Sequence, residues 1–128
     1  MLLVKTKLSP STIEGLGLFA AEPIVKGTMI WKYDDQLDRR MREQDREALP
    51  LIGQAFIDHF AYKNPRSGMY VLCGDDARFY NHCDSPNTKT TVDDETGEYI
   101  DCATRDIREG EEITCDYRVM EGTAVPVF

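Results

Sequence analysis

The sequence has little positive charge, few histidines and no long apolar run. Its 15 lysines and arginines are outnumbered by 23 aspartates and glutamates, and the formal net charge at pH 7 is -8. That balance argues against direct binding to nucleic acid, which needs clustered basic side chains. No apolar run approaches the ~20 residues that a membrane-spanning helix needs, so we expect no membrane association.

Metal-ligand spacing is missing as well. The four cysteines, Cys73, Cys83, Cys102 and Cys115, form no C-x-x-C pair, and no histidine lies at ligand spacing from them. We therefore expect no metal site and reduced, packed thiols. The first five residues are too short and too soon charged for a signal peptide. We expect an intracellular protein, cytoplasmic or, from a eukaryotic source, nuclear.

The composition and the local patterns indicate one small domain. A chain of 128 residues with 41% hydrophobic and 30% charged residues fits a single soluble unit, 1–128. Residues 88–92 and 98–103 flank a turn-forming segment and predict a β-hairpin. Between about 35 and 62 the sequence favours helix, with Pro50 interrupting it. We predict a mostly β or α+β fold of short strands with a short helical insert.

Three segments carry the chemistry. They are Gly15-Leu16-Gly17-Leu18-Phe19, Arg78-Phe79-Tyr80-Asn81-His82-Cys83-Asp84-Ser85-Pro86-Asn87 and Gly110-Glu111-Glu112-Ile113-Thr114-Cys115-Asp116-Tyr117. A dinucleotide-binding fold would need a third glycine and a helix after the first segment, where a strand is predicted instead. In this order and at this separation, the three segments resemble the signature segments of the SET-domain family. Members of that family are protein lysine methyltransferases that use S-adenosyl-L-methionine.

The resemblance implies both a fold and a reaction. The fold is a SET-type arrangement of small curled β-sheets, in which the C-terminal segment threads beneath a preceding loop in a knot-like crossing. The reaction transfers a methyl group from the sulfonium of S-adenosylmethionine to a lysine amine of a basic protein, such as a histone. The acidic net charge favours such a partner through long-range steering. Many relatives carry a cysteine-rich zinc motif after the catalytic tyrosine, and this sequence has none.

The resemblance also assigns roles to individual residues. Tyr117 matches the catalytic tyrosine, whose hydroxyl orients the amine beside the methyl-transfer point. Tyr33 matches the tyrosine that ends the third strand and lines the lysine channel, although Asp35 replaces the glycine that usually follows it. The residues assigned to the cofactor are Gly15, Leu16, Gly17, Arg78, Asn81, His82 and Tyr117. The candidates for lining the substrate channel are Tyr62, Tyr70, Cys115 and Phe128.

Two of these channel candidates have particular consequences. Cys115 stands where relatives often have phenylalanine or tyrosine, so di- or trimethylation is allowed if no other side chain fills the space. Phe128 would lid the cofactor site, either within one subunit or across a homodimer. Three interpretations stay open: an active enzyme, a non-catalytic relative that binds peptide or cofactor, and a small β-rich structural protein in which the motifs are coincidental. The presence of all the matched polar residues favours the enzyme.

Overall fold

The computed structural model describes residues 1–122, which form ten short strands and three short helices. This composition of small sheets with few helices confirms the predicted fold class. The helices are α1 (Glu43–Glu47), α2 (Leu51–Phe60) and α3 (Tyr117–Met120), with a 3₁₀ turn at Asp76–Phe79. The strands are β1 (Thr6–Pro10), β2 (Leu16–Ala20), β3 (Met29–Lys32), β4 (Arg39–Met41), β5 (Tyr62–Lys63), β6 (Tyr70–Leu72), β7 (Asn81–His82), β8 (Thr88–Val92), β9 (Tyr99–Ala103) and β10 (Thr114–Cys115).

The strands group into four small sheets. One is the β1–β2 hairpin, and two are three-stranded, with the orders β3-β9-β8 and β4-β6-β5. The fourth pairs β7 with β10 in parallel, with Asn81 opposite Thr114 and His82 opposite Cys115. This pairing lays the second and third signature segments side by side. The knot-like threading of the C-terminal segment stays an expectation from the resemblance.

The predicted hairpin over residues 88–103 is confirmed. β8 and β9 are antiparallel, and the turn between them is closed by the Asp93 and Gly97 backbones. Gly97 has a φ of 73°, a conformation that costs glycine little and other residues much more. The sheet packs on a core whose largest fully buried apolar side chains are Trp31, Leu18, Ile30, Ile107 and Ile113.

The insert contains less helix than the sequence predicts. Strand β4 and the turn before it occupy residues where helix-favouring composition predicts a helical turn, whereas Pro50 does separate α1 from α2 as expected. The cause is the buried Asp38 carboxylate, which accepts hydrogen bonds from the backbone N–H groups of Asp34 (2.9 Å) and Gly74 (3.0 Å). These bonds turn the chain toward β6, and tertiary pairing overrides local propensity. No helix within residues 1–122 is long and apolar enough to cross a membrane.

Candidate active site

Two clefts meet at Tyr117. The first, which we call the aromatic cleft, has a volume of about 360 Å³ and is lined by Trp31, Tyr62, Tyr70, Tyr80 and Tyr117 among others. The second, which we call the glycine cleft, has a volume of about 330 Å³ and opens beside the first signature segment. The glycine cleft is lined by Glu14, Gly15, Leu16, His59, Phe60, Arg78, Phe79, Tyr80, Asn81 and Tyr117. Five residues line both clefts, namely His59, Phe60, Arg78, Tyr80 and Tyr117.

Two hydrogen bonds hold Tyr117 at this junction, one through its backbone and one through its side chain. Its backbone N–H donates to Nδ1 of His82 at 3.1 Å, and its hydroxyl donates to the Tyr80 carbonyl oxygen. His82 in turn lies 3.0 Å through Nε2 from the Asp84 carboxylate, and the Nδ1 acceptor role places the ring proton on Nε2. Burial raises the pKa of the Tyr117 phenol. The hydroxyl therefore stays protonated at neutral pH and acts as a hydrogen-bond donor.

Asn81 ties the three signature segments together. Its side-chain Nδ2 donates to the carbonyl oxygens of Glu14 (3.2 Å) and Leu16 (3.3 Å) and to the Glu112 carboxylate (3.0 Å). The residue is buried at 8% exposure, so these bonds are shielded from water. Asparagine is suited to this position because its amide nitrogen can donate to acceptors on two separate segments.

The two glycines of the first segment have different physical roles. Gly15 has a φ of 45°, and no atom lies within 4 Å of the place where a Cβ would stand, so its backbone faces open space in the glycine cleft. Gly17 instead faces the protein, because a Cβ there would lie 2.7 Å from the Glu112 carboxylate oxygen Oε2. Gly15 is thus placed to meet a ligand, and Gly17 makes room for Glu112.

Glu112 is a site residue that sequence reasoning missed. Its carboxylate accepts the Asn81 amide and, at 2.6 Å, the hydroxyl of Ser11. Its backbone is fixed by Asn87, whose side-chain amide donates to the Glu112 carbonyl at 2.8 Å and accepts from the Thr114 N–H at 2.9 Å. Glu112 lies in the third signature segment and Gly17 lies in the first, so the sequence had already singled out both segments. Spacing alone does not show that the carboxylate points back toward Gly17.

The structure brings most of the predicted site residues to the clefts. Five of the seven cofactor candidates line the glycine cleft, and both Tyr62 and Tyr70 line the aromatic cleft. Gly17 and His82 line neither cleft. Gly17 leaves room for the Glu112 carboxylate, and His82 accepts a hydrogen bond from the Tyr117 backbone. Phe128 lies outside the described residues.

Tyr33 lines neither cleft. It is buried, its hydroxyl donates to the Asp35 carboxylate at 2.8 Å, and it accepts from Nε of Arg40 at 3.1 Å. The Arg40 guanidinium also stacks over the ring, 4.8 Å from its centroid. Asp35, the departure from the family pattern, therefore holds the Tyr33 hydroxyl outside the clefts in this structure.

Cys115 also lines neither cleft. It is fully buried, its Sγ lies 4.0 Å from the Asn81 carbonyl oxygen, and burial raises its pKa well above the ordinary value of a thiol. Tyr80, which is 7% exposed, is one of several bulky side chains that line the clefts. The expected di- or trimethylation stays a prediction.

Within residues 1–122, no group of three or more histidine, cysteine, aspartate or glutamate side chains is arranged to hold a metal ion. All four cysteines are free thiols. The polar groups that line the clefts include the Glu14 carboxylate, the Arg78 guanidinium and the Tyr117 hydroxyl.

The two clefts share Tyr117 among their lining residues. Residues 15–118 match the SET domain family, and the chain belongs to that family. Human histone-lysine N-methyltransferase 2D is 33% identical over 113 residues, which are 87% of this chain and 2% of the relative. Histone-lysine N-methyltransferase trr of Drosophila melanogaster is 35% identical over 113 residues, which are 87% of this chain and 5% of the relative. The chain thus spans a small part of the relatives it matches.

Solved structures show the same fold. The ctPRC2 complex in an autoinhibited conformation bound to S-adenosylmethionine aligns with a TM-score of 0.70 at 21% identity, over 91% of this chain and 15% of that chain. A humanized mutant of the Chaetomium thermophilum Polycomb Repressive Complex 2 bound to the inhibitor GSK126 aligns with a TM-score of 0.69 at 22% identity, over 91% of this chain and 15% of that chain. These likenesses confirm the SET-type fold.

Proposed function

We propose that this SET domain is an S-adenosylmethionine-dependent protein-lysine N-methyltransferase that acts on a basic protein, with histones as the substrate class. The observation that carries the proposal is the place of Tyr117, which lines both clefts and is fixed by His82 and Tyr80. A donor in one cleft and an acceptor in the other would meet at its hydroxyl. Holding the two reacting groups in line there accounts for a large part of the rate of such a transfer.

The glycine cleft fits S-adenosylmethionine, whose polar end carries an ammonium and a carboxylate. Arg78 supplies a guanidinium for the carboxylate, and Glu14 supplies acceptors for the ammonium. Gly15 leaves its backbone open to the ligand, and Leu16, 47% exposed, offers an apolar surface for the adenine. The Asn81 amide is already used within the protein, so it shapes the cleft rather than reaching into it. When bound, S-adenosylmethionine supplies an electrophilic methyl group on a sulfonium.

The aromatic cleft fits a lysine side chain. Its walls carry Trp31, Tyr62 and Tyr70, which can cover an aliphatic stem and attract a cationic head through their ring faces. Transfer needs the neutral amine, and a desolvated cleft disfavours the ammonium and so lowers the pKa of lysine. The Tyr117 hydroxyl is placed to orient that amine.

Histones as the substrate class are supported by charge and by the relatives. The net charge of -8 favours a lysine-rich partner, and the relatives reported above are named histone-lysine N-methyltransferases. A histone substrate would place the protein in the nucleus of a eukaryotic source. A homodimer stays a prediction that depends on Phe128.

The test is incubation with labelled S-adenosylmethionine and a panel of histones and other basic proteins, followed by peptide mapping. We expect label on lysine from the wild type and a loss of about 100-fold or more in Tyr117→Phe, with cofactor binding by calorimetry retained. Tyr99→Phe is the matched control, because Tyr99 is a buried tyrosine that lines neither cleft. Wild-type protein that binds cofactor without turnover would support the non-catalytic alternative, and equal turnover by Tyr117→Phe would contradict the role of the hydroxyl.

A further inference from the structure

Three buried polar atoms of the aromatic cleft have no hydrogen-bond partner within the described residues. They are Nε1 of Trp31, Oη of Tyr80 and Oδ2 of Asp101. All three residues line the aromatic cleft, with exposures of 2%, 7% and 0%. Buried polar groups are nearly always paired, so three orphans in one cleft indicate that its inner end receives a polar occupant.

Strand register explains why these groups share one cleft. Asp101 on β9 stands opposite Trp31 on β3 and opposite Thr90 on β8. Residues opposite one another in neighbouring strands direct their side chains to the same face of a sheet. Thr90 donates its hydroxyl to Oδ1 of Asp101 at 2.5 Å, which leaves Oδ2 unpaired.

We propose that Asp101 accepts the proton that the substrate lysine must lose before it can act as a nucleophile. This inference rests on the proposed methyltransferase function. An N–H bond of the lysine ammonium breaks, its electron pair stays on nitrogen, and the proton forms an O–H bond with Oδ2 of Asp101. The amine becomes neutral, the carboxylate becomes a carboxylic acid, and the proton later returns to solvent.

Burial favours this transfer from both sides. A low-dielectric site disfavours the charged form of each partner, so an ammonium–carboxylate pair shifts toward neutral amine and neutral acid. Burial raises the pKa of Asp101 to about 6, against the lowering effects of the Thr90 hydroxyl and the amino terminus. Asp101 is thus mostly ionised at pH 7 and takes a proton more readily than an exposed aspartate would. The Nε1–H of Trp31 and the hydroxyl of Tyr80 can hold a water that carries the proton over any remaining distance.

The tyrosines and cysteines near Asp101 do not compete for this role. Tyr62, Cys73, Tyr80 and Cys115 have pKa values raised by burial and further raised by the Asp101 charge, so they stay neutral near pH 7. Cys102, next to Asp101 in sequence, has a pKa raised for the same reasons. His59 also lines the cleft, and an imidazole can accept a proton, so it needs its own variant.

The first experiment is the pH dependence of kcat/KM for a lysine peptide with saturating S-adenosylmethionine. We expect wild-type kcat/KM to fall below about pH 6, and Asp101→Asn to lose this acidic limb with a drop of about 100-fold at pH 7.5. Thr90→Val removes a hydrogen bond that stabilises the carboxylate, so it should move the limb to higher pH. Asp93→Asn, at the turn between the same two strands, is the matched control and should keep the wild-type profile. An acidic limb that persists in Asp101→Asn, or that disappears in His59→Gln instead, would overturn the proposal.

A second readout does not depend on turnover. In protein labelled with ¹³C at aspartate carboxyl carbons, and without cofactor, the resonance missing in Asp101→Asn should titrate near pH 6. Binding of a lysine peptide should shift this resonance toward the protonated form, whereas a norleucine peptide should not. No shift with lysine would refute the proton transfer even in an active enzyme. Wild-type protein without turnover on any basic protein would refute the proposed function instead.

Discussion

Replacing Asn81 by aspartate tests how the three signature segments are held together. Asn81→Asp keeps the shape of the side chain but places a carboxyl group 3.0 Å from Oε2 of Glu112 and beside two carbonyl oxygens. The introduced group can avoid this repulsion only by keeping its proton, so its folded pKa lies far above the unfolded value of about 3.9. A carboxyl group whose pKa is higher in the folded than in the unfolded protein destabilises the fold at every pH above its unfolded pKa. The loss is about 1.4 kcal/mol per pH unit, or about 4 kcal/mol at pH 7 and about 1.5 kcal/mol at pH 5.

The assay is urea unfolding followed by the fluorescence of Trp31, the sole tryptophan, which is 2% exposed. With a slope of about 2 kcal/mol per M, the midpoint should fall by about 2 M at pH 7 and by about 0.75 M at pH 5. Adding Glu112→Gln to Asn81→Asp supplies an N–H donor to the introduced carboxylate and should recover most of the loss at pH 7. A loss below about 1 kcal/mol at pH 7, a loss equal at both pH values, or no recovery in the double variant would refute the role of Asn81.

Two further predictions concern packing and thiol access. Gly74→Ala should destabilise the fold by about 3 kcal/mol or more, because its Cβ would lie 1.9 Å from the Leu37 carbonyl oxygen, whereas Gly53→Ala in α2 should change stability by less than about 1 kcal/mol. Denaturation midpoints check both, and equal effects would contradict the close contact. Half-buried Cys83 should react with a thiol reagent in the native state, and Cys115 only after unfolding, because burial raises its pKa. Mass spectrometry of timed samples shows the order, and simultaneous labelling would contradict the burial of Cys115.

The local sequence pattern predicted the structure correctly where two strands that are adjacent in the sequence pair with each other. The hairpin of β8 and β9 follows from alternating residues around a turn that contains Gly97, and both strands form as predicted. The local pattern predicted too much helix in the insert, because the buried Asp38 carboxylate accepts hydrogen bonds from backbone N–H groups of two separate segments. Only tertiary structure shows which distant N–H groups, such as that of Gly74, a carboxylate receives.

In the candidate site, too, the sequence predicted some features and only the tertiary structure shows the others. The resemblance implies that Tyr117 lies near Asn81 and His82, and Asn81 and Tyr117 do line the same cleft. The position of Tyr33 does not follow from the resemblance, since Asp35 and Arg40 draw its hydroxyl into a local network. Cross-strand register decides which buried group faces the cleft, so Asp101 carried no signal in the sequence.

We propose that Tyr117 stands between a cofactor cleft and a lysine cleft. A crystal structure of the domain with S-adenosylhomocysteine and a lysine peptide would show the place of both ligands. We expect the cofactor sulfur in the glycine cleft and the lysine nitrogen in the aromatic cleft, with both near the Tyr117 hydroxyl. Both ligands in one cleft, or a lysine bound away from Tyr117, would contradict this proposal.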